Sequence, residues 1–189
     1  MFKRAGAAVF ASGVLLLAAG CGKAPTPTIN ESMTQIMEPQ AQTIWDVTSA
    51  AYNDKGDGLD ASKISGVDWI RVARSSRQLR DRARLLAKAA PDLVVAGPNE
   101  PILGQYASHP GVKGTYDAAS PQQVKALIEA NPRLLAQKAR ELADSADAML
   151  NAAHHKDAAT LYRVSGNLDE NCDGCHQPFW GTDETPPPR

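Results

Sequence analysis

The chain has 189 residues, with 20 Lys and Arg against 21 Asp and Glu, for a formal net charge of −1. That balance offers no positive excess for nucleic acid, which is excluded as a partner. The length suffices for one domain with its own core, and three cysteines exclude a disulfide framework.

The chain opens "MFKRAGAAVFASGVLLLAAGC", with Lys3 and Arg4 before an apolar stretch and small residues before Cys21. This is the pattern of a secretory leader. It resembles a bacterial lipoprotein signal, which implies cleavage after Gly20 and a lipid on Cys21. Ala18 stands where such signals usually carry Leu. The apolar run is shorter than the ~20 residues needed to span a bilayer as a helix. Export implies a periplasmic, membrane-tethered protein, and Gly22 after the cysteine resembles an outer-membrane sorting pattern. Residues 21–29 follow as a polar, Pro-containing tether.

The body, residues 30–180, reads as helical. From about Asn30 to Tyr52, the residues Ile29, Met33, Ile36, Met37, Ile44, Val47 and Ala51 fall on one stripe, with Met33 near its centre. Pro39 should kink or split this helix. "NDKGDGLDAS" is a solvated turn. A second helix spans about Val67 to Ala90, where Val72, Leu79 and Leu86 repeat every seven residues. Arg71, Arg74, Arg77, Arg80, Arg84 and Lys88 make it basic, a solvated face or a docking patch for an acidic redox partner. Residues 91–119 hold too much Pro and Gly for regular structure and form a long loop.

Ser120-Pro121 and Asn131-Pro132 are two helix starts, a short helix leading into a longer one. On the longer one Leu135, Leu142 and Met149 interleave with Ala139, Ala146 and Ala153. Asp157 caps a last helix whose stripe runs Leu161, Val164, Ser165, Leu168, Cys172, Cys175, with Pro178 closing it before the tail 181–189. Four amphipathic helices without a strand signal point to an all-α fold, an antiparallel four-helix bundle with a long loop between its second and third helices.

Cys172, Cys175 and His176 stand together in "NCDGCHQPFW". Cys-x-x-Cys-His spacing serves a dithiol pair, a zinc site or covalent haem attachment. Zinc wants about four ligands, and only His154 or His155 could complete the set. A dithiol pair normally opens a helix in a strand–helix framework, and no strand signal is present. On a helix, Cys172 and His176 stack one turn apart with Cys175 on the same flank. Two thioethers there can pin a porphyrin edge while the imidazole reaches the iron. Haem c is the expected cofactor. No acid–base or nucleophile constellation appears, so an enzyme is not expected.

A helical bundle with Cys-x-x-Cys-His on its C-terminal helix is similar to the cytochrome c-prime family and its low-spin relatives. Phe179, three residues after the histidine, matches the family's aromatic position. Trp180 stands where a basic residue is common, and Pro178 ends the helix early. The resemblance implies that the first helix serves the far face of the iron. A Met there implies a six-coordinate electron carrier, whereas an apolar residue implies a five-coordinate NO- or CO-binding protein. Met33 is the candidate ligand, with Met37 the alternative. His109, in the loop, is a weaker candidate for a ligand or for peroxidase-like chemistry. Met149, Trp45 and Trp69 read as core or haem packing, and His154-His155 as groups facing a helix C-terminus. The expected function is a membrane-tethered monohaem electron carrier, with gas binding as the alternative.

Overall fold

The computed structural model describes residues 27–98, 100, 102 and 120–180. The leader, Cys21, most of the tether, His109 with most of its loop, and the tail 181–189 lie outside the described residues. Within them the fold is all-α, with an isolated antiparallel bridge between Tyr52 and Leu59. Among the described residues no helix is long and apolar enough to cross a membrane.

The first helical run comprises α1 (Ile29–Ser32), a π-helical turn (Met33–Met37) and α2 (Glu38–Ala50). Thr28 starts it with a capping box: its hydroxyl accepts from the Glu31 amide at 3.0 Å, and its own amide donates to the Glu31 carboxylate at 2.8 Å. The next two amides, of Ile29 and Asn30, donate to the Val94 and Val95 carbonyls at 2.9 Å each. A helix start thus finds its missing acceptors in the segment that follows the second long helix. Ile29, assigned to the tether from sequence, is helical and only 2 % exposed. Among the described residues the helical run thus starts from its cap at Thr28.

Pro39 breaks regular winding, as expected, but the break takes the form of a π turn and not of a sharp kink. The Glu38 amide donates to the Met33 carbonyl, five residues back. A proline ring would collide with the carbonyl four residues earlier in a straight α-helix, and a wider turn relieves that collision. Helix α2 then runs on with Pro39 in its first turn.

Ser65 caps α3 (Gly66–Ala89). After a short 3₁₀ turn at Ala90–Asp92 come Leu93 and Val95, both packed with the core, and Val95 is fully buried. The described start of the expected loop is therefore part of the body. Two further helices follow, α4 (Pro121–Ala130) and α5 (Pro132–His155), with Ser120 and Asn131 as caps. Helices α3 and α5 form the most extensive contact. Helix α2 packs on α3, the chain's last two helical segments, α6 (Ala158–Ser165) and α7 (Leu168–Trp180), pack on α5, and α4 packs mainly on α7. Arg80 crosses this interface to Asp147 at 3.0 Å and also meets Asp81 at 2.8 Å, so it is no part of a free basic face.

The last helix is divided. Asp157 caps α6 (Ala158–Ser165), and α7 (Leu168–Trp180) starts anew after Gly166-Asn167. Glycine weakens a helix interior, which accounts for the break, while Leu161, Val164 and Leu168 stay buried on both sides of it. Pro178 does not end α7, which continues to Trp180. A proline inside a helix costs ~3 kcal/mol or more. Phe179 and Trp180 are 2 % and 9 % exposed. Each such aromatic removes roughly 150–250 Å² from water at about 25 cal/mol per Å², which outweighs the lost bond.

Candidate functional site

Helix α7 carries Cys172, Cys175 and His176 into a single apolar cavity, and the π turn brings Met33 and Met37 to the same cavity. Its non-atom space comes to about 1010 Å³ when the solvent at its open mouth is counted. Ala41 and Trp45 of α2, Leu79 and Leu86 of α3, and Leu135, Ala139 and Leu142 of α5 supply the apolar walls. Polar atoms are few and come from Asn30, Thr34, Glu38 and Asn171.

A smaller lobe of about 300 Å³ adjoins it and shares Met33, Leu86, Leu135, Cys175, His176 and Trp180. Ile29, Ile128 and Phe179 close that lobe. Met33 therefore lines both spaces that His176 lines, whereas Met37 lines only the larger one. Met37 is the more buried of the two methionines, at 6 % exposure, and Met33 is half-buried.

The electrostatics around the motif follow from burial. Desolvation pushes the Cys172 thiol up to about 12, with Asp169 adding to the shift. It pushes Cys175 up to about 11, although the Lys138 ammonium pulls the other way. Both thiols are free and protonated at neutral pH. Burial also lowers the His176 imidazole, against the pull of Asp173, so the ring is neutral. Its Nδ1 is buried with no hydrogen-bond partner among the described residues. The ring lies 6.3 Å from that of Trp180, centre to centre, tilted by 49°.

Lys138 on α5 lies over the motif. It pairs with Glu141 at 2.8 Å, and its methylene stem passes Gly174 at the distance of ordinary contact from a side chain built there. Asn171 ties α7 to α5 by donating to the Ser145 hydroxyl at 3.1 Å.

Of the other residues singled out from sequence, Trp45 borders the cavity while Trp69 and Met149 belong to the sealed core. His154 and His155 are exposed in the last turn of α5, where the His155 ring is 2.8 Å from the Asn151 carbonyl. Among the described residues, no three His, Cys, Asp or Glu side chains converge as a metal site. Sequence reasoning missed Ala139, Leu142, Asn171 and Lys138 as site residues. The α5 stripe was visible, but nothing in it shows which members face a space and which face a neighbour.

No protein-family model, no curated protein and no solved structure matches this chain.

Proposed function

We propose that this chain is a monohaem c-type cytochrome that carries single electrons, tethered to a membrane on the periplasmic side through Cys21. The observation that carries this reading is the shared cavity. Met33 and the Cys172–Cys175–His176 group come from opposite ends of the chain and line one apolar space. In the finer architecture we propose, α2, α3, α5 and the α6–α7 pair are the four arms of an antiparallel bundle like that of the cytochrome c-prime family.

The residues fit a haem in three respects. The cavity is open at its mouth and nearly all apolar, a surrounding that suits a flat macrocycle. The two free thiols and the imidazole belong to one helix, in the order that thioether attachment uses. The neutral His176 ring has a buried Nδ1 without a hydrogen-bond partner among the described residues, so no described group holds that nitrogen against a metal. Cys172 and Cys175 would hold the group covalently, and His176 and Met33 would be the side chains that ligate its iron. A bound haem would supply the one-electron Fe(III)/Fe(II) couple. A thioether from Met33 would favour the reduced state and leave no room for a gas. Trp45, Leu79, Leu142 and Trp180 would give the group apolar walls.

The absorption spectrum of the holoprotein, oxidised and reduced, with and without CO, tests this directly. A low-spin reduced spectrum that CO leaves unchanged is expected, and Met33→Ala should convert it to a CO-binding form. A high-spin reduced spectrum that CO shifts at once in the parent chain would replace electron transfer by gas binding. The absence of covalently attached haem after expression with a haem-attachment system would overturn both.

A further inference from the structure

We propose that the outward face of α3 is a docking surface for an anionic lipid bilayer. Helix α3 turns Leu79 and Leu86 to the cavity and Val72 and Ala83 to the core. On its opposite side Val67 and Ile70 are 67 % and 65 % exposed, and Arg71, Arg74 and Arg77 are exposed beside them. Arg84, Leu85 and Lys88 continue the same line, with Leu85 38 % exposed. Arg71 shares its charge with Asp68 at 3.1 Å and Arg84 lies 4.0 Å from Asp147, while Asp81 is engaged by Arg80 at 2.8 Å, so Arg74, Arg77 and Lys88 are the cations of this row without an ion pair among the described residues. In a chain of net charge −1, one straight helix thus presents a row of cations with aliphatic side chains between them.

One feature favours a membrane over an acidic redox protein on this face. The row runs the length of a 24-residue helix, ~36 Å at 1.5 Å per residue, which suits a plane better than a compact partner. Basic residues that attract anionic headgroups, with aliphatics that enter the interface, are the composition of a surface-lying helix. The proposal depends neither on what fills the cavity nor on the anchor at Cys21.

The test uses the mature chain, residues 21–189 with Cys21→Ser, so that neither leader nor lipid is attached, and sedimentation with vesicles of phosphatidylcholine alone or mixed with phosphatidylglycerol. Binding should rise with the phosphatidylglycerol fraction and fall with added salt. Arg71→Gln, Arg74→Gln and Arg77→Gln together should weaken it on the order of a hundredfold. The matching lysine triple should retain it, and Arg133→Gln with Arg140→Gln on α5 should change it little. Far-UV circular dichroism checks that each variant keeps its helices. Binding indifferent to phosphatidylglycerol, or unchanged in the glutamine triple, would overturn the proposal. So would retention on a polyglutamate matrix without binding to anionic vesicles, which would assign the face to an acidic protein.

Discussion

The two halves of this helical stack are finished differently. Ile44, Val72, Met149, Leu161 and Leu168 are all at 0 % exposure. Further along the same helices Met33, Cys172, Cys175 and His176 are half-buried around an open-mouthed apolar cavity. Both halves use the same residue types, Leu, Ala and Met on amphipathic stripes. In one they close to the density of an organic crystal, and in the other they stop short. Atoms facing a gap forgo the dispersion contacts that a neighbour would supply. The chain tolerates that loss only in the half that holds its thiols and its imidazole. An apolar occupant would restore those contacts, so its binding and the completion of the core are one event.

The sharpest way to break this comparison is to make the same truncation in both halves of the chain without haem. Met149→Ala removes a fully enclosed side chain and should destabilise by about 2–5 kcal/mol. Met37→Ala borders existing empty space and should cost well under half as much. Urea unfolding followed by circular dichroism measures both. Equal losses would mean that the cavity closes up in solution.

That contrast was only half visible in the sequence. Heptad spacing of Val72, Leu79 and Leu86, and of Leu135, Leu142 and Met149, identified α3 and α5 because an α-helix repeats its facing positions at that interval. The cavity was not legible, since a stripe shows which residues point inward and not whether anything meets them. The π turn escaped for a related reason. Over one turn, Met33 and Met37 share a face in either winding, and Pro39 announced a break without its form. Gly166 was passed over because Leu161, Val164 and Leu168 hold the phase of one continuous helix. Pro178 was overweighted because the burial of Phe179 and Trp180 is a tertiary fact. The pairings of Arg80 with Asp147 and of Ile29 with Val94 join distant segments that no local pattern connects.

The thiols offer the next, smaller contrast. Burial raises Cys172 and Cys175 from an ordinary 9.0 to about 12 and about 11. Between those values the unfolded chain releases thiol protons that the folded chain keeps. Stability of the haem-free chain should therefore be constant below pH 9 with respect to these groups and fall as pH rises above it. Glu141, paired with Lys138 over Cys175, keeps its charge across that range, and the pairing raises the Lys138 ammonium above its ordinary 10.5. Replacing both cysteines by Ser should remove this part of the alkaline loss. Thermal melts between pH 8 and 10.5 read the difference, and an unchanged alkaline limb in the double variant would show that the thiols are hydrated and not buried.

Gly174 gives the smallest and most discriminating test. It lies inside α7, where glycine costs about 0.5–1 kcal/mol relative to alanine. A Cβ built there would meet the Lys138 stem at 3.5 Å, an ordinary van der Waals contact. Gly174→Ala should therefore stabilise the haem-free chain by about 0.5–1 kcal/mol, seen as a higher urea midpoint at unchanged slope. Haem attachment in the same variant then separates two reasons for the glycine. If attachment proceeds as in the parent, the residue is an unoptimised helix position like many others. If attachment fails while the fold gains stability, Gly174 keeps clear the space that the covalent group must cross, and the incompleteness of this half of the core extends to the motif itself.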